Sequence, residues 1–60
     1  MKKGDRVTYV PTVGTPEHGI VKRMDGDHAF VVYSCAGEWG QYENYTAART
    51  RLEDLREGWI

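Results

Sequence analysis

Few side chains in this 60-residue chain are of types that carry out chemistry. The usual metal ligands are His18, His28 and Cys35, but they show no CxxC or HxxxH spacing, and a structural zinc site needs four ligands. Ser34 is adjacent to Cys35, and His28 is seven residues before it. In a strand, both side chains would therefore project from the face opposite the Cys35 thiol, where they could not pair with it. We interpret His18 as a loop residue, His28 as a turn residue and Cys35 as a small hydrophobe. We therefore expect no enzyme activity, no catalytic residue, no metal and no cofactor.

The strongest structural signal is a hairpin centred on the turn Asp25-Gly26-Asp27. The two aspartates could suggest a calcium loop, but the other ligands of an EF-hand are absent, which favours a turn. The flanking runs are rich in β-branched and aromatic residues, as strands are. Together these features predict strands at about Glu17–Met24 and His28–Cys35.

The third strand is predicted to lie inside the sheet, because both of its faces are apolar. Val31 and Tyr33 share one face, whereas Phe30 and Val32 share the other. One face would fill the core and the other would be covered by a long loop. On the second strand, Gly19 would permit close backbone approach or a bend.

The N-terminal segment predicts the first strand, in which Val7 and Tyr9 share a face. Pro11 cannot donate to a ladder and should end this strand. Residues 11–18 show no periodicity and contain both prolines, so we expect an ordered loop.

The last fifteen residues have two interpretations. In the first, Tyr45–Arg49 is a fourth strand, Arg51–Leu55 is a helical turn with its leucines inward, and Trp59-Ile60 is a short last strand. In the second, Ala47–Glu57 is one amphipathic helix. We favour the first, because the sequence of Thr50–Glu53 matches a capping box, which a continuous helix would not use in its middle.

This order of elements resembles the SH3-like barrel, in the broad sense that includes Tudor, KOW and CarD-type modules. The segments that carry the resemblance are GDRV at 4–7, EHGIV at 17–21, FVVY at 30–33 and LEDL at 52–55. The chain is also similar to small proteins of bacteria and their phages that share a GIV…FVVY…W…DL…GW arrangement. The resemblance implies an all-β fold: a five-stranded SH3-like barrel, one domain over residues 1–60, with a short 3-10 or helical turn near Arg51–Leu55. The chain has no ALYDY-like motif, so binding of Pro-rich ligands is not implied, and it lacks a full KOW signature.

Composition limits the partners and the compartment. The formal net charge of −1 argues against a strongly basic nucleic-acid binder. A chain of this length buries only about 60% of the surface that it exposes when unfolded, so we expect a thin stability margin. With one cysteine, no signal peptide and no transmembrane run, the expected location is the cytoplasm.

The least expected composition lies in residues 36–45, where Trp39, Tyr42 and Tyr45 are close together. Tryptophan and tyrosine carry binding energy because they bury large rigid areas and keep a polar group. Our first hypothesis is therefore a binding module for a protein or peptide, which would use this aromatic loop and the 11–18 loop as two walls of a groove.

Two alternatives remain open. The first is weak nucleic-acid binding through a basic face formed by Lys2, Lys3, Arg6, Lys22 and Arg23. The second is a structural or assembly role, in which a β edge pairs with another copy or a larger protein. We expect a monomer or a weak homo-oligomer with no membrane association.

Overall fold

The computed structural model describes residues 1–60. Its elements are β1 (Arg6–Tyr9), β2 (Glu17–Asp25), β3 (His28–Val32), the 3-10 helix η1 (Trp39–Asn44), β4 (Ala48–Arg51), the 3-10 helix η2 (Leu52–Asp54) and β5 (Leu55–Glu57). The strands form one antiparallel sheet in the order β4-β3-β2-β1-β5, which confirms a mainly-β fold. β4 and β5 are the two edges and do not pair with each other, so closure into a barrel is not confirmed. Neither helix is long and apolar enough to cross a lipid bilayer.

The predicted β2–β3 hairpin is confirmed. Asp25 pairs with His28, so the turn contains only Gly26 and Asp27, and Gly26 has a φ of 60°. Glycine with positive φ at the first turn position suits the right-handed twist of the flanking strands. β3 ends at Val32, three residues earlier than predicted, because the chain leaves the sheet and turns with positive φ at residues 36 and 37.

A β-bulge in β2 decides which side chains face the core. Val21 pairs with Val31 and Arg23 pairs with Phe30, so Lys22 is the extra residue. In a regular strand, residue 23 would share the core face with Val21. The bulge reverses the alternation beyond it, so Arg23 projects from the opposite face, while Met24, at the next position, packs on the core.

One face of the sheet carries the main core. Its buried cluster consists of Val7, Val21, Ala29, Val31 and Leu55, with Tyr9, Met24, Tyr33 and Leu52 packed against it. Burying an aliphatic side chain of this size contributes roughly 1.5–3 kcal/mol, so these few residues dominate the stability of a small domain. The prediction that the leucines of the last segment point inward is confirmed by this cluster.

The opposite face, called the outer face below, is also covered in part. Ile20 and Val32 are cross-strand partners on this face, and both are buried. Here η1 lies against β2, and the C-terminal residues Gly58–Ile60 are hydrogen-bonded to β1 and β2. The prediction that β3 lies inside the sheet is therefore confirmed. Its outer face is covered at Val32 and only partly covered at Phe30.

Gly19 permits a close approach between strands, as predicted. A Cβ at this position would lie 2.5 Å from Val31 Cγ1 and 2.9 Å from the carbonyl oxygen of Val32. Every other residue type would therefore force β2 and β3 apart at this point.

The C-terminal segment follows the strand–turn–strand interpretation, but its predicted boundaries are wrong. The fourth strand is Ala48–Arg51 rather than Tyr45–Arg49, because pairing with β3 places Ala48 opposite Val31 and Thr50 opposite Ala29. The last strand is Leu55–Glu57 rather than Trp59-Ile60, since it pairs with β1 as soon as η2 ends. The continuous helix is excluded.

The capping box is also wrong. The residue before η2 is Arg51, and no side chain caps the helix. Thr50 instead lies in β4 with its side chain buried, where Thr50 Oγ1 and Tyr33 Oη are 2.8 Å apart. The match to a capping sequence was local, whereas strand pairing assigned the threonine to the core.

Candidate functional site

The strand register places all the arginines on the outer face. Cross-strand partners project from the same face of a sheet, and alternate residues of one strand share a face. The arginines are connected to one face by the cross-strand pairs Arg6–Ile20, Ile20–Val32, Arg23–Phe30, Phe30–Arg49, His28–Arg51 and Thr8–Arg56. The arginine face is thus defined by Arg6, Arg23, Arg49, Arg51 and Arg56, all of which are exposed.

Two of these arginines lie next to one phenylalanine ring. Arg23, Phe30 and Arg49 occupy one row across β2, β3 and β4. The guanidinium carbon of Arg23 is 3.9 Å from the centroid of the Phe30 ring, a cation–π contact. Arg49 Nε lies 3.4 Å from Asp25 Oδ2, the one strand carboxylate on this face. We call Arg23, Phe30 and Arg49 the Phe30 cluster.

A second group of rings and cations surrounds Trp59. The guanidinium carbon of Arg6 lies 4.6 Å from the centroid of the Trp59 ring, and the His18 ring stacks on Trp59 at 5.3 Å with an interplanar angle of 6°. Trp39 packs against the same indole at 5.1 Å. We call Arg6, His18, Trp39 and Trp59 the Trp59 cluster.

Hydrogen bonds to β1 and β2 hold the Trp59 cluster in place. Trp59 Nε1 donates to the Gly19 carbonyl oxygen at 2.9 Å. Thr8 Oγ1 donates to the carbonyl oxygen of Gly58 at 2.8 Å and accepts from Ile60 N at 3.2 Å. The side chain of Thr8 is fully buried, so these bonds are shielded from water. The indole is thereby fixed beside Arg6.

The three residues of the predicted aromatic loop are half-buried, and each has an internal contact. Trp39 contacts Trp59, as described above. The Tyr45 hydroxyl donates to Glu38 Oε1, and this bond raises the pKa of Tyr45. Tyr42 Oη lies beside Gly4, 3.7 Å from the position where a Cβ would be. The loop is therefore held against the sheet with part of each ring exposed.

The predicted basic residues fall into two groups in the structure. Arg6 and Arg23 lie on the arginine face, whereas the three lysines have other partners. Lys2 Nζ lies 3.4 Å from Asp5 Oδ1, and Lys3 Nζ lies 2.7 Å from Glu43 Oε2. Lys22 Nζ donates to the Tyr45 carbonyl oxygen at 2.9 Å. Lys3 thus joins the N-terminal segment to the aromatic loop, and Lys22 joins this loop to β2.

Two members of the arginine face have carboxylate partners: Arg49 contacts Asp25, and Arg51 Nη1 lies 3.2 Å from Glu53 Oε1. Other carboxylates are held by cations of other types. The Lys3 ammonium holds the pKa of Glu43 below its usual range through a hydrogen bond, and the same bond raises the pKa of Lys3. A hydrogen bond from His28 Nδ1, 2.7 Å from Asp27 Oδ1, lowers the pKa of Asp27 in the hairpin turn. Both acids are exposed and ionised at neutral pH.

His18 lies in β2 and His28 lies in β3, inside the predicted strand bounds. Their interpretation as a loop residue and a turn residue is therefore wrong. His18 Nε2 donates to the Ile60 backbone oxygen at 2.8 Å. Cys35 is buried, which confirms its interpretation as a small hydrophobe.

Sequence reasoning missed Arg49, Arg51 and Arg56 as members of a basic face. Their segment has balanced charge, since Glu53, Asp54 and Glu57 lie close in sequence. The alternation of arginine with small residues in Ala48–Arg51 was the available signal, because a period of two directs both arginines to one face.

Comparison with protein-family models, with curated proteins and with solved structures finds no match to this chain.

Proposed function

We propose that this protein is a non-catalytic binding module whose arginine face binds a single-stranded nucleic acid. The observation that carries the proposal is that all five arginines project from one face, where Arg6 and Arg23 already lie over aromatic rings. Single-strand binders combine a cationic track for phosphates with rings on which bases stack. Arginine suits this task because its planar guanidinium binds phosphate and stacks on rings at the same time.

The net charge of −1 is compatible with this proposal because the charges are segregated. The strand residues of the arginine face include five arginines and one carboxylate, Asp25. If every arginine contacts one phosphate, the log–log slope of affinity against salt is about −3.5, from about 0.7 for each phosphate of a single strand. We expect weak binding that is lost at high salt.

The test uses fluorescence anisotropy with a labelled oligothymidine of about 12 nucleotides, a length within the range bound by small single-strand modules. The double variant Arg6→Gln/Arg23→Gln should weaken binding at low salt by at least tenfold and reduce the salt slope by about 1.4. The matched control is Lys2→Gln/Lys3→Gln, which removes the same charge from positions paired with Asp5 and Glu43. Equal losses in the two variants, or no binding by the unaltered protein, would reject the proposal.

A second candidate is a protein or peptide partner bound at the aromatic loop. It is favoured by the partly exposed rings of Trp39, Tyr42 and Tyr45, which internal contacts hold in one arrangement. Such preorganisation lowers the entropy cost of binding. Selection from a random peptide display library should enrich ligands that the Tyr42→Ser/Tyr45→Ser variant no longer binds. A library that yields no such ligand would remove this candidate.

We propose further that the sheet is a variant of the SH3-like barrel in the sense that includes Tudor, KOW and CarD-type modules. The support is the sequence of five antiparallel strands with a 3-10 turn before the last one. A cytoplasmic location in a bacterium or its phage agrees with the single cysteine and with the sequence resemblance. Detection of the tagged protein in cell fractions would test the location.

A further inference from the structure

A groove of about 400 Å³ lies on the core side of the sheet, between β4 and the side chain of Tyr9 in β1, two strands that do not pair. All four residues of β4 line this groove, so the backbone of β4 forms one of its walls. Tyr9, Glu17, Tyr33 and Asp54 line the remainder. We call this the tyrosine groove. Its volume is within the range of ligand sites in proteins.

Two tyrosine rings give the groove a rigid apolar surface. Tyr9 and Tyr33 meet edge to face with their centroids 6.1 Å apart. The Tyr33 hydroxyl lies 2.8 Å from Thr50 Oγ1, which ties its ring to β4. Burial, together with the negative neighbours Glu17 and Asp54, raises the pKa of Tyr33. Both rings are half-buried, so each keeps an accessible side.

The edge of β4 next to this groove lacks backbone partners. β4 pairs with β3 on one side only, and no backbone–backbone hydrogen bond outside that pairing involves its residues. An unpaired edge of this kind is a template for another extended chain. Peptides bind many domains in this way, with affinity from main-chain hydrogen bonds and specificity from alternate side chains.

The charges along β4 decide between the possible occupants. Arg49 and Arg51 project to one face, while Ala48 and Thr50 project to the core side. Opposite charges directly across a strand pair are stabilising, and like charges are destabilising. A second copy that added its own β4 in antiparallel order would place arginine opposite arginine. Arg49 and Arg51 contact the exposed carboxylates of Asp25 and Glu53 at 3.4 and 3.2 Å, and a chain with acidic residues at alternate positions would replace both contacts.

We propose that the edge of β4 and the tyrosine groove bind an extended peptide of another protein in which acidic and apolar residues alternate. Its backbone continues the sheet beyond β4. Its acidic side chains pair with Arg49 and Arg51, and its apolar side chains lie over Tyr9 and Tyr33. This site shares Arg49 and Arg51 with the arginine face, but it also requires the edge of β4 and the two tyrosines, whereas the oligonucleotide test removes Arg6 and Arg23.

The experiment titrates the ¹⁵N-labelled protein with a capped six-residue peptide of alternating glutamate and valine, followed by amide chemical shifts. We expect saturable shifts at residues 48–51. A lysine–valine peptide, and a glutamate–valine peptide methylated on alternate backbone nitrogens, should each bind at least tenfold more weakly. The methylated peptide tests strand addition, because methylation removes the main-chain donors of one edge.

The charge reversal Arg49→Glu/Arg51→Glu should invert the preference, so that the lysine–valine peptide binds more tightly. The matched control Lys2→Glu/Lys3→Glu makes the same change of charge near the N-terminus, away from β4, and should leave the preference unaltered. The proposal would be overturned by an absence of shifts at 48–51, by equal binding of the methylated peptide, or by dimerisation without peptide in sedimentation. Because the oligonucleotide test uses a different pair of arginines, failure of one proposal can be told from failure of the other.

Discussion

The close packing at Gly19 allows a quantitative prediction for Gly19→Ala. The added Cβ would lie 2.5 Å from Val31 Cγ1, 2.9 Å from the Val32 carbonyl oxygen and 3.0 Å from Tyr33 Cδ1. Side-chain rotation can relieve the contacts with Val31 and Tyr33, but the carbonyl belongs to the strand that pairs with β2. The strands must therefore separate, and the variant loses packing in the core.

Overpacking of a core typically costs about 1–3 kcal/mol. Because one of the crowded neighbours is backbone, we expect about 2–3 kcal/mol for Gly19→Ala. A domain of this length has a free energy of unfolding of about 3–9 kcal/mol, at roughly 0.05–0.15 kcal/mol for each residue. Since each kcal/mol lowers the thermal midpoint of a small domain by about 4–8 °C, the midpoint should fall by about 8–24 °C.

The assay is urea and thermal unfolding followed by circular dichroism, with Gly40→Ala as the matched control. A Cβ at Gly40 would meet no atom within 4 Å, and its φ is not positive, so this variant should stay within about 0.5 kcal/mol of the unaltered protein. A loss below about 1 kcal/mol for Gly19→Ala, or equal losses in the two variants, would refute the packing argument.

Three further predictions concern the buried hydroxyl of Thr8, the titration of Asp5 in acid and the titration of Tyr33 at alkaline pH. Thr8→Val should lower the free energy of unfolding by about 1–3 kcal/mol in urea, because the carbonyl of the half-buried Gly58 loses its donor. A hydrogen bond from the Lys2 backbone N–H holds the pKa of Asp5 below its ordinary value of 3.8. The ionised Asp5 therefore stabilises the folded state above pH 3.8, and this contribution is lost as pH falls through the folded-state pKa. The thermal midpoint of Asp5→Asn should therefore lie below that of the unaltered protein at neutral pH and converge with it in acid. Burial raises the pKa of Tyr33 above 10.0, so the unaltered protein should lose stability as pH rises through the folded-state pKa, and Tyr33→Phe should remove this loss.

Each of these predictions has an outcome that contradicts it. For the hydroxyl, the control is Thr12→Val at an exposed loop position, and an equal effect there would exclude a special role for the buried bonds. For Asp5, a difference in thermal midpoint that stays constant into acid would exclude the proposed linkage. For Tyr33, an alkaline loss of stability that persists in the phenylalanine variant would assign the titration to another group.

Local sequence pattern was sufficient for the elements whose signals lie within a few residues. The β2–β3 hairpin was predictable because β-branched runs flank a Gly-Asp turn. The position of β3 inside the sheet was predictable because apolar residues occupy both sets of alternate positions in this strand. The close approach at Gly19 was predictable for the same reason, since a glycine inside a strand pattern usually marks a tight contact.

The C-terminal segment shows why local signals fail. Thr50–Glu53 has the sequence of a capping box, yet Thr50 is a buried strand residue. Pairing between β4 and β3 was worth more than one capping bond, and neither the partner strand nor its register is visible in the segment itself. The same reason explains why the fourth strand begins three residues later and ends two residues later than predicted.

The composition of the candidate interface depended on contacts far apart in sequence. A basic face was predictable from Arg6 and Arg23, but its other members come from β4 and β5, which enter the sheet at its two edges. The bulge at Lys22 places Arg23 on that face, whereas regular alternation would have directed it to the core. The arginines and aromatic residues were thus evident in the sequence, but strand pairing decided which of them share a surface. The physical reason is that a shift of one residue in register moves every following side chain to the other face of the sheet.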